Sequence, residues 1–186
     1  MRSIPYIRRR LRRPSASTTL TRFGSGLTVP GYGFILHNRG GLFSLDPNSA
    51  NVVAPHKRPY NTLAAGFVMD GKKPLMSLLL MGGDMQAQGH AQVLANIFDL
   101  GANLQMATDM ARFRHSQVSN KLVLELNLYD LLGKELAAMG HILGPPSSAG
   151  VGGFQAIAVL PARGKSGPRV YRAGSDHRKD GQAVGF

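Results

Sequence analysis

From Leu75 to Met81 the chain carries seven residues of which only Ser77 is polar. The run is too short for a buried helix of ordinary length and suits a strand covered on both faces. Upstream, Asp70-Gly71-Lys72-Lys73 separates it from a second apolar run, Gly66–Met69. Asp-Gly between apolar runs is a strong hairpin signal, so the two runs should pair antiparallel. Downstream, Gly82-Gly83 ends the run and the period changes. Ala91, Val93, Leu94, Ile97 and Phe98 recur at helical spacing, with Asp84 placed to cap a helix beginning near Met85 and Gly101 to close it. A strand buried on both faces needs a layer on each side, which makes the domain a layered one.

The remaining elements fit that plan. Phe34–Leu36, Leu122–Leu126, Phe154–Leu160 and Arg169–Arg172 read as further strands. Helices are expected over Leu104–Ala111 and Leu126–Met139, the latter closing at Gly140. The 186 residues, 43% apolar and 17% charged, support one core and exclude a wholly disordered chain. No apolar run approaches the roughly 20 residues of a membrane-spanning helix. With no cysteine, disulfides, thiolate metal sites and cysteine nucleophiles drop out together. Two divisions follow: residues 1–22, basic and of tail-like composition, and a domain over 23–186.

The net charge of +12 lies mostly at the two ends. Residues 1–22 hold seven arginines and no acid (+7), residues 23–162 nine bases against eight acids (+1), and residues 163–186 six against two (+4). A nucleic-acid-binding domain would gather its bases on a folded face, so neither nucleic acid nor a membrane surface is the expected partner. No apolar segment follows the arginines as in a secretory signal; a solvated tail and an organellar transit peptide both fit the stretch. The compartment stays open, the cytoplasm being slightly favoured.

Several features could carry chemistry. Gly82-Gly83, at a strand-to-helix turn, can aim backbone N–H groups outward with no side chain in the way, which suits an oxyanion or carboxylate. The same pair also serves as a plain tight connection. The six histidines lack metal-ligand spacing, and no metal or cofactor is expected. His90 is expected to be a structural, hydrogen-bonded histidine near Gln86 and Gln92. Gly24-Ser25-Gly26 and Gly31-Tyr32-Gly33 lack the strand and helix of a phosphate cradle. Arg112-Phe113-Arg114-His115 reads as a solvated helix end.

Phe23-Gly24-Ser25-Gly26, Asn38, Phe43-Ser44 and Ala54-Pro55-His56-Lys57-Arg58-Pro59 form an ordered series of landmarks. It continues through Met81-Gly82-Gly83, Gln86-Ala87-Gln88-Gly89-His90, Asp99–Gln105, Ala111–His115, Gly140-His141 and Gly174–Gly181. Over about residues 23–186 this series resembles the small, C-terminal subunit of the gamma-glutamyltransferase family, in its divergent bacterial branch. The resemblance implies an α+β fold of the N-terminal-nucleophile hydrolase type, a four-layer αββα sandwich present here only in its small-subunit part. It implies a precursor that cleaves itself to expose a threonine. That threonine, with its own α-amine as base, attacks a gamma-glutamyl amide and passes the acyl group to water or an amine. By the same resemblance Gly82 and Gly83 donate to the oxyanion, Asn61 and Thr62 hold the substrate carboxylate, and a large subunit is the protein partner.

The departures shape the expectations. The stretch matching the nucleophile's strand pair is the arginine-rich segment or lies before Met1. Thr18 falls where a second active-site threonine often stands, but Leu20 replaces its asparagine. Arg39 and Leu42 occupy the places of a polar residue and an aspartate that hold the substrate's α-amino group, and His177 replaces a proline. A leucine accepts no ammonium hydrogen bond, which counts against glutathione as substrate even of the complete enzyme; a gamma-glutamyl or glutaryl amide is the expected substrate class. Residues 1–22 are expected to be foreign to the family, through a frame error, a wrong start or a truncated gene, and the chain to be inactive alone. A non-catalytic, partner-binding remnant and a basic polyanion-binding protein are the alternatives.

Overall fold

A computed structural model describes residues 24–160 and 170–185. The chain divides into two compact units, Met1–Leu63 and Ala64–Phe186. Within its described residues the first unit is mostly irregular. Its local order consists of a Thr28–Ile35 bridge, a short 3-10 turn over Arg39–Leu42 and a parallel Ser44–Val52 bridge. The expected strand at Phe34–Leu36 is therefore reduced to one bridge residue, Ile35. Phe34 and Leu36 are exposed, but their backbones continue the pairing with the preceding segment: Phe34 O accepts the Val29 N–H at 3.0 Å, and Leu36 donates to Leu27 O and accepts the Ser25 N–H, both at 2.9 Å.

The second unit holds the core. Its main sheet runs β1 (Ala65–Asp70), β2 (Lys73–Met81), β5 (Gly153–Leu160), β6 (Val170–Ser175), all antiparallel. The β1–β2 hairpin forms as expected, with Gly71 at φ +55° in the turn. A positive φ there favours glycine. Between β2 and β5 come α1 (Met85–Phe98), α2 (Leu104–Asp109), a two-stranded ribbon of β3 (Phe113–Ser116) and β4 (Lys121–Leu124), and α3 (Leu126–Ala138).

Alternation along β2 sets the layers. Met76, Leu78 and Leu80 are buried and join Met85, Val93, Leu104, Ala107, Val151, Phe154 and Ala156 in one cluster. This face is covered by α1 and α2. Leu75, Ser77, Leu79 and Met81 alternate with the buried set, on the opposite face, and are less buried, as are Phe67 of β1 and Tyr171 of β6. The expectation that β2 is buried on both faces therefore holds for one face within the described residues.

Several expected boundaries and one cap change; the last strand, for instance, runs on to Ser175 rather than ending at Arg172. Asp84 does not cap α1: it is already helical (φ −63°, ψ −14°), and its side chain makes no cap bond. The Gly82 and Gly83 carbonyls accept the Met85 and Gln86 N–H groups instead, at 3.2 and 3.0 Å. The second helix stops at Asp109 rather than Ala111, and Asn103 Oδ1 caps its start by accepting the Met106 N–H at 2.9 Å. Strand β4 ends at Leu124, because Glu125 already serves as N-cap position of α3. Arg169, the first residue of the expected last strand, lies outside the described residues, as do Thr18, Leu20 and the whole of 1–22.

Candidate active-site turn and its buried support

The turn after β2 carries two glycines with positive φ, +147° for Gly82 and +61° for Gly83. Among the described residues neither N–H has a hydrogen-bond acceptor, although both carbonyls are engaged by α1. Two free donors at a helix start, with no side chain over them, can receive an oxyanion or a carboxylate. The helix behind them is pinned on several sides. Gln86 Oε1 accepts the Ala64 N–H at 3.1 Å. Gln88 and Gln92 each exchange two hydrogen bonds with the β3 backbone, at His115 and Phe113 respectively (2.8–3.0 Å).

His90 is structural, as expected, but its partner is the strand rather than a glutamine. Its Nε2 accepts the Leu80 N–H at 2.8 Å. β1 begins opposite Leu79, so it offers Leu80 no backbone partner on that side. Accepting requires a neutral ring, and burial lowers the His90 pKa from its ordinary value. The sign follows. A folded pKa below the unfolded one gives stability that is full above about pH 6.5 and is lost as pH falls through the lowered value. Denaturant midpoints of the wild-type chain should therefore drop on acidification below pH 6.5 more steeply than those of His90→Gln, which does not titrate. Parallel midpoint curves would remove His90 from this role.

The largest correction concerns Arg112. It is no solvated helix end but fully buried, with Phe113–Ser116 forming β3. Its Nη1 donates to Val151 O at 2.9 Å, and its Nη2 to Thr108 O at 2.9 Å and to Asp176 Oδ2. Asp176, also fully buried, accepts the Phe154 N–H at 2.8 Å. Arg178 grips Glu125 with two donors (2.7 and 2.6 Å) and reaches Asp176 Oδ1 at 3.1 Å. Glu125 in turn accepts the Arg112 backbone N–H at 2.8 Å. Burial pushes both carboxyls up, but hydrogen bonds outweigh it and hold them below their ordinary values. The donors are the Phe154 N–H and Arg112 for Asp176, and Arg178 and the Arg112 N–H for Glu125. The pairing was invisible in sequence because Arg112, Glu125 and the Asp176/Arg178 pair are 13 to 66 positions apart; the only clue was an arginine beside a helix end in a mostly neutral stretch.

The other candidate residues lie in the first unit. Arg39 is buried, and its Nη1 finds no partner among the described residues. The Asn61 side chain is engaged locally, donating to Leu63 O and accepting the Leu63 N–H at 3.1 and 3.2 Å. Thr62 is half-buried and is not without interactions. Among the described residues no group of His, Asp and Glu side chains could hold a metal ion, and no helix is long and apolar enough to cross a membrane.

Comparison with known proteins supplies the frame for this geometry. The family model described as gamma-glutamyltranspeptidase matches residues 15–186, and so takes in 15–22 as well as the domain after them. The chain is 33% identical over 173 residues to an oxamate amidohydrolase proenzyme of Klebsiella pneumoniae, covering 88% of this chain and 31% of that protein. It is 30% identical over 169 residues to a glutathione hydrolase-like proenzyme, YwrD, of Bacillus subtilis, with the same shares of 88% and 31%. This chain thus spans about a third of the length of these two relatives. One chain of the gamma-glutamyltranspeptidase from Pseudomonas nitroreducens, solved with L-DON, superposes with a TM-score of 0.72 at 27% identity, covering 92% of both chains. A match to a third of each proenzyme, but to nearly all of one chain of a solved enzyme, fits a precursor divided into two subunits. The fold is the mixed helix-and-sheet fold of the N-terminal-nucleophile hydrolases, and the chain belongs to the gamma-glutamyltranspeptidase family.

Proposed function

We propose that this chain supplies the oxyanion turn and half of the sandwich of an amide-cleaving acyl-transfer enzyme. The nucleophilic threonine and the large subunit would come from sequence outside it. The observation that carries this is the pair of N–H groups at Gly82 and Gly83, free of acceptors among the described residues, in a chain of this family. Attack on an amide carbonyl places negative charge on its oxygen, and fixed donors stabilise that charge more than the neutral ground state. The large subunit would cover the sheet face opposite α1, where Phe67, Met69 and Tyr171 are each more than 40% exposed. Uncovered apolar surface of this kind favours association.

The acyl group is proposed to be gamma-glutamyl or, better, glutaryl-like, held at Asn61, Thr62 and Arg39. Arg39 adds a buried cation with a spare donor, and Leu42 beside it offers no acceptor to an ammonium. That combination suits an acyl donor with a carboxylate and no α-amino group. The oxamate amidohydrolase relative supports the reading, oxamate being such an amide.

The test is a comparison of two proteins on gamma-glutamyl and glutaryl anilides. The 186-residue chain alone should release no aniline. A fusion supplying the preceding two thirds of the Bacillus subtilis relative should cleave itself and form an acyl-enzyme visible by mass spectrometry. Turnover by the chain alone, or a folded fusion that never acylates, would overturn the proposal.

A further inference from the structure

Met81 O and the Gly82 N–H belong to one peptide unit. A trans peptide is planar, so its carbonyl and N–H point in opposite directions and can only turn together. Whatever fixes Met81 O therefore fixes where the Gly82 donor is aimed. The loop before β5 does this. A Cβ built on Gly152 would stand 2.5 Å from Met81 O and 2.5 Å from Leu80 Cδ2. From the opposite side, a Cβ on Gly82 would stand 3.0 Å from Gly152 Cα and 3.1 Å from Met85 Cβ. The two backbones are pressed together, and neither has room for a methyl group.

Gly152 is itself held from both flanks. On one side Gly153 pairs with Met81 at the end of the β2–β5 ladder. On the other, Val151 O receives the buried Arg112 Nη1 at 2.9 Å. The turn thus has a rigid floor, built from a ladder position and a buried guanidinium.

We infer that Gly152 is a positioning residue of the oxyanion turn: its bare backbone sets the plane of the Met81–Gly82 peptide and so the direction of the Gly82 N–H. The inference rests on the acyl-transfer reading for its catalytic meaning, but its geometric content stands apart from that reading. An added methyl at 152 cannot be absorbed by Met81 O, which is backbone, so the peptide plane must rotate or the loop must lift. Either movement swings a donor that has to meet the oxyanion within a narrow range of positions.

A matched control lies two residues away. Gly150 has the same φ, +82°, as Gly152, so alanine at either site meets the left-handed penalty at that φ. A Cβ on Gly150, however, meets only Arg114 Nη1, at 2.8 Å, the end of a side chain that can move aside. Comparing Gly152→Ala with Gly150→Ala separates the effect on the turn from left-handed strain.

Two readouts decide the matter. In the 15N–1H spectrum of the chain, Gly152→Ala should shift the Gly82 amide strongly while Gly150→Ala leaves it in place. In the self-cleaving fusion, Gly152→Ala should lower kcat by about 10²-fold with KM little changed, the scale of a small misplacement at the reacting centre. Gly150→Ala should retain most of the activity. Equal losses in the two variants, or an unmoved Gly82 amide in Gly152→Ala, overturn the inference. If Gly152→Ala does not fold, the wild-type chain decides: a clamped peptide gives Gly82 an order parameter of about 0.85, and a value below about 0.6 overturns it. If the fusion shows no acyl transfer at all, the functional reading falls while the amide measurements still test the clamp.

Discussion

Asp176→Ala is expected to destabilise the chain by about 3–5 kcal/mol, the scale of breaking a buried ion pair by removing one partner. Asp176 is fully buried and serves four donors at once: the Arg112 guanidinium, the Arg178 guanidinium, the Arg178 N–H and the Phe154 N–H. Alanine would leave Arg112 buried with no carboxylate, held only by the carbonyls of Val151 and Thr108. Against a typical total stability of about 5–15 kcal/mol, a loss of that size removes from about a fifth of the margin to all of it. The pH dependence follows from the lowered pKa values of Asp176 and Glu125. Carboxyls depressed in the fold contribute fully above the ordinary carboxyl range, about pH 4, and the contribution is lost as pH falls through the depressed values. Denaturant unfolding at neutral pH measures the first effect, and acid titration of the wild-type and variant chains the second. A loss below about 1 kcal/mol at neutral pH would show that the network is solvated and weak.

The parts of the fold legible in sequence were those written in local pattern. Leu75–Met81, the Asp70-Gly71 turn and the helix after Gly82-Gly83 all declared themselves by period and by turn chemistry, and all formed. Phe34–Leu36 was read as a strand and pairs only briefly, through one bridge and a few backbone bonds to residues 25–29, with Phe34 and Leu36 left exposed. Asp84 failed as a cap. Its type suits a cap, but the two glycines before it bend the chain so that Asp84 is already helical and their carbonyls take the first N–H groups. The Arg112–Asp176–Arg178–Glu125 group was hidden because buried charges are recognised by their partners, and here a strand, two helices and the C-terminal segment bring the partners together. Of the candidate site, Gly82-Gly83 was legible because a ligand-facing turn needs residues without side chains. The floor beneath it, at Gly152, was not, because a close approach between two backbones leaves no mark in sequence except one more glycine among many.

Gly82→Val in the self-cleaving fusion is expected to cost about 2.7–4 kcal/mol of transition-state stabilisation, a fall of roughly 10²–10³ in kcat. Three features of the turn combine to produce it. The backbone at Gly82 sits at φ +147°, where a β-branched side chain is a steric outlier. Its Cβ would lie 3.0 Å from Gly152 Cα and 3.1 Å from Met85 Cβ, so the turn must move away from its floor. The Gly82 N–H, whose direction depends on that floor, would then leave the place where the oxyanion forms. Because the interaction belongs to the transition state, kcat should fall with little change in KM. The second donor, the Gly83 N–H, remains in the variant. Some turnover should therefore survive, above the level of a variant lacking the nucleophile. Steady-state kinetics on a glutaryl anilide, with circular dichroism to confirm the fold, separates the outcomes. A folded Gly82→Val enzyme with unchanged kcat would remove the turn from the chemistry, whatever its free N–H groups suggest.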